Sequence, residues 1–231
     1  WHDMEIHNPT ARHLAHMIVR EIGALSGVRS LVDMGCGVGV NVKALHAHFP
    51  NLAITGVDLS KEILDLARVH VGPSATIQYR VANIEKETLD ERFDVVLCSQ
   101  VLEHIQDDIQ ALENLAQACT RYVLLTVPAG SYNSTSALVG HHRHYSKEDL
   151  IHKVEKTGLT VCRVFSWGFP FHSFYKQILN WLPKKAQSAV GMGRYGLLQK
   201  GLAASLYALF YANSDRDGDN IILLAVNNRR G

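Results

Sequence analysis

The run Leu31-Val32-Asp33-Met34-Gly35-Cys36-Gly37-Val38-Gly39 leads from an apolar stretch through a carboxylate into three alternating glycines. Residues without a β-carbon let a backbone come close to a ligand. A helix starting beyond them offers unpaired N–H groups and the positive end of its dipole. Two ligand classes compete for such a loop. A dinucleotide site wants Gly-x-Gly-x-x-Gly, with its third glycine at position 40; that position is Val40, and Gly39 comes one place early. The Asp33 carboxylate would repel a diphosphate across the loop, whereas it suits a ligand carrying an ammonium and a sulfonium. Asp58, within Gly56-Val57-Asp58-Leu59-Ser60, follows the glycines by about twenty residues, where an acid ending a second strand can accept from both hydroxyls of a ribose. An Asp before Ser is also an ordinary helix cap. Its pairing with the glycine loop makes the ribose role specific.

Histidine is the unusual count, at 13. It crowds into Gly140-His141-His142-Arg143-His144-Tyr145-Ser146, and His104 stands in the stretch Ser99 to Ile105. A neutral histidine can take a proton from a reacting group, so His104 and His141 are candidate bases, with Tyr145 positioning the substrate. Structural roles compete: His104 packing or capping a turn, and Arg143 tying its loop down through a carboxylate. His141 and His144 could share a metal ion if a helix began there. Gly140 before them and Tyr145 after them suggest a loop, and no Cys or acid sits at a complementary spacing, so no metal is expected.

Elements that could position these residues follow from periodicity. Ala11, Leu14, Ile18, Val19, Ile22 and Leu25 recur on one helical face, with Asn8-Pro9-Thr10 as a capping start and Gly27 as a stop. Short apolar runs at 30–34, 53–57, 76–81, 93–97 and 122–127 then alternate with helical patterns near 40–48, 60–70 and 105–118. Strands apolar on both faces, alternating with helices, specify a parallel sheet covered on each side. Further strands are expected near 159–165 and 220–226, for seven in all, and Ser146 with Glu148 and Asp149 starts another helix. Residues 167–213 break the rhythm with aromatic side chains and read as two or three helices. From Gly201 to Ala212 this segment is apolar but shorter than a membrane span, which favours a cap over the site or a dimer contact.

A length of 231 residues suits a single α/β domain, here 1–231 with an N-terminal helix in 1–27 and a helical cap or dimerisation insertion at 167–213. With 23 basic against 22 acidic residues and no basic block, no nucleic-acid partner is expected. Cys36, Cys98, Cys119 and Cys162 form no C-x-x-C pair, which fits reduced thiols in a cytoplasmic protein. The start, Trp1-His2-Asp3-Met4, has no signal-peptide pattern.

In this order the landmarks resemble the class I S-adenosylmethionine-dependent methyltransferases, from about residue 28 to 165. The resemblance implies a three-layer Rossmann-like α/β sandwich, with a mostly parallel seven-stranded sheet and a helical insertion before the last strand. It implies S-adenosyl-L-methionine as cofactor: Asp33, Gly35, Gly37 and Gly39 along its methionine part, Asp58 on the ribose, and Asn83 and Ile84 at the adenine. Leu59 and Ser99 complete the cofactor set. Asn83 stands where the family usually has an acid, yet its side-chain oxygen can still accept from the adenine amine. Phe93 to Ile105 looks like the family's fourth strand and the turn after it. The loop from Gly140 resembles the Gly-His-x-Arg-x-Tyr loop of a bacterial subgroup, with His141, Arg143 and Tyr145 matching. The expected reaction is methyl transfer to a small hydrophobic or aromatic acceptor, oxygen favoured over nitrogen because a phenol or enol gains most from a histidine base. Carboxylate acceptors, which need no base, stay open. The alternatives are a partner protein that binds S-adenosylmethionine without turnover, or a nicotinamide-dependent oxidoreductase.

Overall fold

The computed structural model describes residues 6–132, 136–137, 139–181 and 195–228. Helix α1 (Pro9–Gly23) starts where Asn8 accepts from the Thr10 and Ala11 amides, and proline occupies its first turn. The alternating segment then folds as β1 (Ser30–Met34), α2 (Val40–His48), β2 (Ala53–Asp58), α3 (Lys61–Val71), β3 (Ile77–Val81) and β4 (Phe93–Ser99). A 3₁₀ turn at Leu102–His104 leads to α4 (Asp108–Ala118), β5 (Cys119–Pro128), α5 (Lys147–Lys156) and β6 (Thr160–Trp167). Helices α6 (Phe171–Trp181) and α7 (Leu197–Leu209) precede β7 (Asn220–Val226). The expected elements are present. The insertion is shorter than its reading, because Trp167 still belongs to β6, and part of it, 182–194, lies outside the described residues, as does the start of 1–27.

The sheet order is β3-β2-β1-β4-β5-β7-β6, with β7 antiparallel to both its neighbours and the other pairings parallel. β7 starts at the end of the sheet where β6 finishes, so it runs opposite to both of its neighbours. The order reverses between β1 and β4, and a crevice outside the carboxyl ends of strands forms at such a switch point. Asp33 sits there, in register with Gly56 of β2 and Leu97 of β4.

Two hydrophobic clusters cover the two faces of the sheet. Leu14, Ile18, Leu45 and Leu64 of α1 to α3 pack on one face, and Leu112, Leu115, Leu150 and Val154 of α4 and α5 on the other. Phe210, directly after α7, fills the first cluster beside Trp167 at a ring separation of 5.8 Å. Among the described residues no helix is long and apolar enough to cross a membrane. Cys36, Cys98 and Cys119 are buried free thiols, and Cys162 is exposed.

Asp219 anchors α6 to the sheet. Its carboxylate pairs with His172 Nδ1 at 2.7 Å and Lys176 Nζ at 3.1 Å. Burial alone would raise its pKa, but the His172 and Lys176 bonds outweigh burial and hold it at about 2. A carboxylate depressed from 3.8 stabilises the fold above pH 4 and loses that contribution as the pH falls towards 2. Asp219→Asn is therefore expected to cost about 2 kcal/mol at pH 7. Urea denaturation should show wild type and variant converging between pH 4 and 2.

Candidate active site

The glycine loop closes over the end of β1 through backbone bonds that leave little freedom. The Gly35 and Cys36 amides both donate to Val57 O at 2.8 Å, and the Gly39 amide donates to Cys36 O at 3.0 Å. Gly35, Gly37 and Gly39 have φ of 82°, 53° and 81°. At Gly35 the left-handed backbone is combined with a close approach, since an added Cβ would overlap both Cγ atoms of Val101. Gly39 forms the N-terminal boundary of α2 with no side-chain cap, so the first amides of that helix point towards the loop.

Asp33 lies beneath this loop, fully buried, and neither of its carboxylate oxygens has a partner in hydrogen-bond geometry. Burial pushes its pKa up to about 7; the Asn41 amide pulls the other way and the Asp58 charge adds to the rise. A buried orphan carboxylate is costly. It is a fitting counter-group for a cationic ligand that brings its own charge. Asp58 is braced differently. Oδ2 accepts from the Gly37 amide at 3.1 Å and Oδ1 from the Ser60 amide at 3.0 Å, so one carboxylate holds the glycine loop and the start of α3 together. The helix cap expected at Asp58 falls instead on Ser60, whose side chain accepts from Ile63 N at the start of α3.

The remaining expected cofactor residues surround the same strand ends. Leu59 is two-thirds exposed, Ile84 is buried, and Asn83 is half-buried, its Oδ1 accepting from the Glu85 amide at 3.0 Å. Ser99 shares a 2.7 Å hydroxyl contact with Thr126. Gln100, just after it, holds a φ of 57°, the only positive φ at a non-glycine among the described residues. Its amide donates to Thr126 O, which turns the chain sharply out of β4 into the 3₁₀ turn.

That turn meets the loop from Gly140. His104 is exposed and its Nδ1 lies 3.3 Å from Gly140 O, while the His142 amide donates to Glu103 O at 2.7 Å. The rings of His104 and His141 are 4.7 Å apart, edge to face, and His141 Nδ1 lies 3.1 Å from His144 Nε2. Burial and then the neighbouring histidines hold His141 at about 4; burial also lowers His104 and His144. All three are neutral at pH 7. His141 and His144 thus face one another from a loop, without the helix that their spacing seemed to require.

The structure separates Tyr145 from these histidines. Tyr145 is buried in the core; its hydroxyl donates to Asp108 Oδ2 at 2.8 Å, with Leu102 O a second acceptor at 3.2 Å. Arg143 pairs with the same carboxylate at 3.0 Å, Lys153 joins at 2.8 Å, and Arg143 also donates to Gln106 O. Asp108 is the carboxylate that ties the loop down. What Tyr145 can do for a substrate is therefore indirect, by fixing the segment that carries His141. Sequence reading missed Asp108, Val101 and Glu103, all of which act across the fold. Glu103 stood in plain view beside His104, and its adjacency was the available signal.

Comparison with known proteins agrees with this architecture. Residues 32–123 match a family model described as a methyltransferase domain. Among curated proteins, a ubiquinone biosynthesis O-methyltransferase from Coxiella burnetii (strain Dugway 5J108-111) is 36% identical over 90 residues, 38% of each chain. One of the same name from Alkalilimnicola ehrlichii is 33% identical over 105 residues, 44% of this chain and 40% of that one. The matched stretch thus spans about two fifths of these relatives' own length. In fold the chain is similar to the magnesium protoporphyrin IX methyltransferase of Synechocystis PCC 6803 with bound SAH: TM-score 0.59, 17% identity, 94% of this chain and 83% of that one. It is likewise similar to a phosphoethanolamine N-methyltransferase 2 of Haemonchus contortus, solved with S-adenosyl-L-methionine: TM-score 0.64, 20% identity, 95% of this chain and 53% of that one. Over residues 32–123 the chain thus matches a methyltransferase domain, and its fold is that of solved methyltransferases with S-adenosylmethionine or SAH bound.

Proposed function

We propose that the chain uses S-adenosylmethionine to methylate an oxygen atom of a small hydrophobic or aromatic acceptor. The observation that carries this reading is Asp33, an orphan carboxylate fully buried at the switch point beneath the glycine loop. It fits the ammonium end of that cofactor and opposes a diphosphate. Asp58 is placed to accept from the ribose hydroxyls, Asn83 and Ile84 receive the adenine, and Leu59 and Ser99 line the approach. When bound, the cofactor supplies an already activated methyl group. What remains for the protein is alignment and removal of the acceptor's proton. His104 and His141 carry unprotonated nitrogens at neutral pH on the loops after β4 and β5, where the acceptor is expected. The curated relatives named as O-methyltransferases support oxygen over nitrogen.

The test is calorimetric titration with S-adenosylmethionine, with NAD as comparison and Asp58→Ala as the site variant. Saturable binding of S-adenosylmethionine is expected, weakened about 100-fold in Asp58→Ala through loss of two charge-assisted hydrogen bonds. Preference for NAD, or unchanged affinity in the variant, would overturn the assignment. Binding without turnover of any phenolic, enolic or amine acceptor would favour a non-catalytic partner.

A further inference from the structure

Among the described residues, Glu103 is the buried acid on the acceptor side that the methyl-transfer reading leaves without work. It is 1% exposed, and neither carboxylate oxygen has a hydrogen-bond partner. One ligand atom each from Glu103, His104 and His141 lies within 4.8 Å of the others. From these residues we propose that Glu103, His104 and His141 bind a divalent cation of the zinc class, leaving a coordination position open for an acceptor oxygen.

The donor chemistry selects the ion. Two imidazoles and one carboxylate suit Zn²⁺ and its transition-metal neighbours, and three protein ligands with an open fourth position are the pattern of a catalytic rather than a structural zinc site. The second ring nitrogens are already engaged as such a site requires. His104 Nδ1 can donate to Gly140 O at 3.3 Å, and His141 Nδ1 can donate to His144 Nε2 at 3.1 Å. Each bond leaves the other nitrogen with its lone pair, and outer partners of this kind orient metal-binding histidines. Ligand atoms around tetrahedral zinc lie roughly 3.4 Å apart, given bonds of about 2.0–2.1 Å, so the three side chains must close in by rotation. The cation in range is Lys176, and it is paired with Asp219 at 3.1 Å. Spacing along the chain gave no acid to complement the histidines; the 3₁₀ turn after β4 supplies one.

The place of the site gives it a use, and this part rests on the methyltransferase reading. Val101, two residues before Glu103, packs against Gly35 of the glycine loop. An ion held here adjoins the methyl donor's cradle. A phenol or enol oxygen that takes the open position loses its proton to water and is held as the oxyanion. The histidines then serve as ligands in place of acting as the base themselves.

The experiment titrates Zn²⁺, then Co²⁺, into the chelator-treated full chain, with no methyl donor present, reading stoichiometry against a chromophoric chelator and the visible ligand-field bands of Co²⁺. One tightly held equivalent is expected. Glu103→Gln and His104→Ala should each weaken it by at least ~100-fold, while His152→Ala, on the exposed face of α5, leaves it unchanged. Circular dichroism reports whether Glu103→Gln folds; His104 is exposed, and its variant stands in if that one does not. Absence of a stoichiometric site in the wild type, or equal retention in both ligand variants, would overturn the proposal as adventitious binding by surface histidines. A parallel S-adenosylmethionine titration separates the two readings: cofactor binding without zinc binding removes the ion alone, and zinc binding without cofactor binding removes the methyl-transfer reading alone.

Discussion

Asp33→Asn is expected to make the ligand-free protein more stable at pH 8 while weakening S-adenosylmethionine binding by 100-fold or more. Asp33 is fully buried, without a hydrogen-bond partner on either oxygen, and its pKa stands at about 7 against 3.8 in an unfolded chain. For a carboxyl raised in the folded state, stability is intact below pH 3.8 and falls as the pH rises, levelling off above 7. The full shift corresponds to roughly 4 kcal/mol, an upper figure because water entry and relaxation reduce it. Asparagine resembles the protonated acid in shape and removes the penalty. Urea midpoints should therefore coincide for wild type and variant near pH 4 and separate progressively up to pH 7. The same charge that destabilises the empty site is what an ammonium ligand would neutralise. Binding to the wild type below pH 7 should release close to one proton, visible as a dependence of calorimetric heat on the buffer's ionisation enthalpy, and the variant should show none. Equal stability of the two proteins at pH 8 would mean that Asp33 is not the strained group described above.

The candidate cofactor residues stand close to strands that are legible in the sequence. Asp33, the three glycines and Asp58 are local features: an acid, a turn and a strand end, each within a few residues of a legible strand. The sheet followed from the same periodicity, and its observed strands fall close to the runs that specify them. The proposed acceptor side is assembled from long-range contacts. Tyr145 in a histidine-rich loop looks like a site residue, yet its hydroxyl is spent on Asp108, 37 positions away in sequence. Glu103 and His141 meet only because the 3₁₀ turn after β4 and the loop before α5 converge, with the His142 amide donating to Glu103 O. No window of sequence contains both. The extent of the insertion was overread for a related reason: aromatic residues mark burial, and Trp167 is buried as the last residue of a strand rather than as part of a cap.

The contact between Gly35 and Val101 joins those two sides, and Gly35→Ala should expose it. Two costs act together at this position. An L-residue held at a φ of 82° costs about 1–2 kcal/mol, and the new methyl overlaps both Cγ atoms of Val101, which adds about 1–3 kcal/mol of overpacking. A loss of about 3 kcal/mol in urea denaturation is expected. Val101→Ala removes the methyl groups in the way, so the double variant should recover the packing part and keep the backbone part. The loss in the double variant will then be smaller than the sum of the two single losses, by about 1–2 kcal/mol. Strict additivity would show that the glycine is required only for its backbone angle. A shortfall would instead show that β1's loop and the turn carrying Glu103 and His104 are set against each other through Val101.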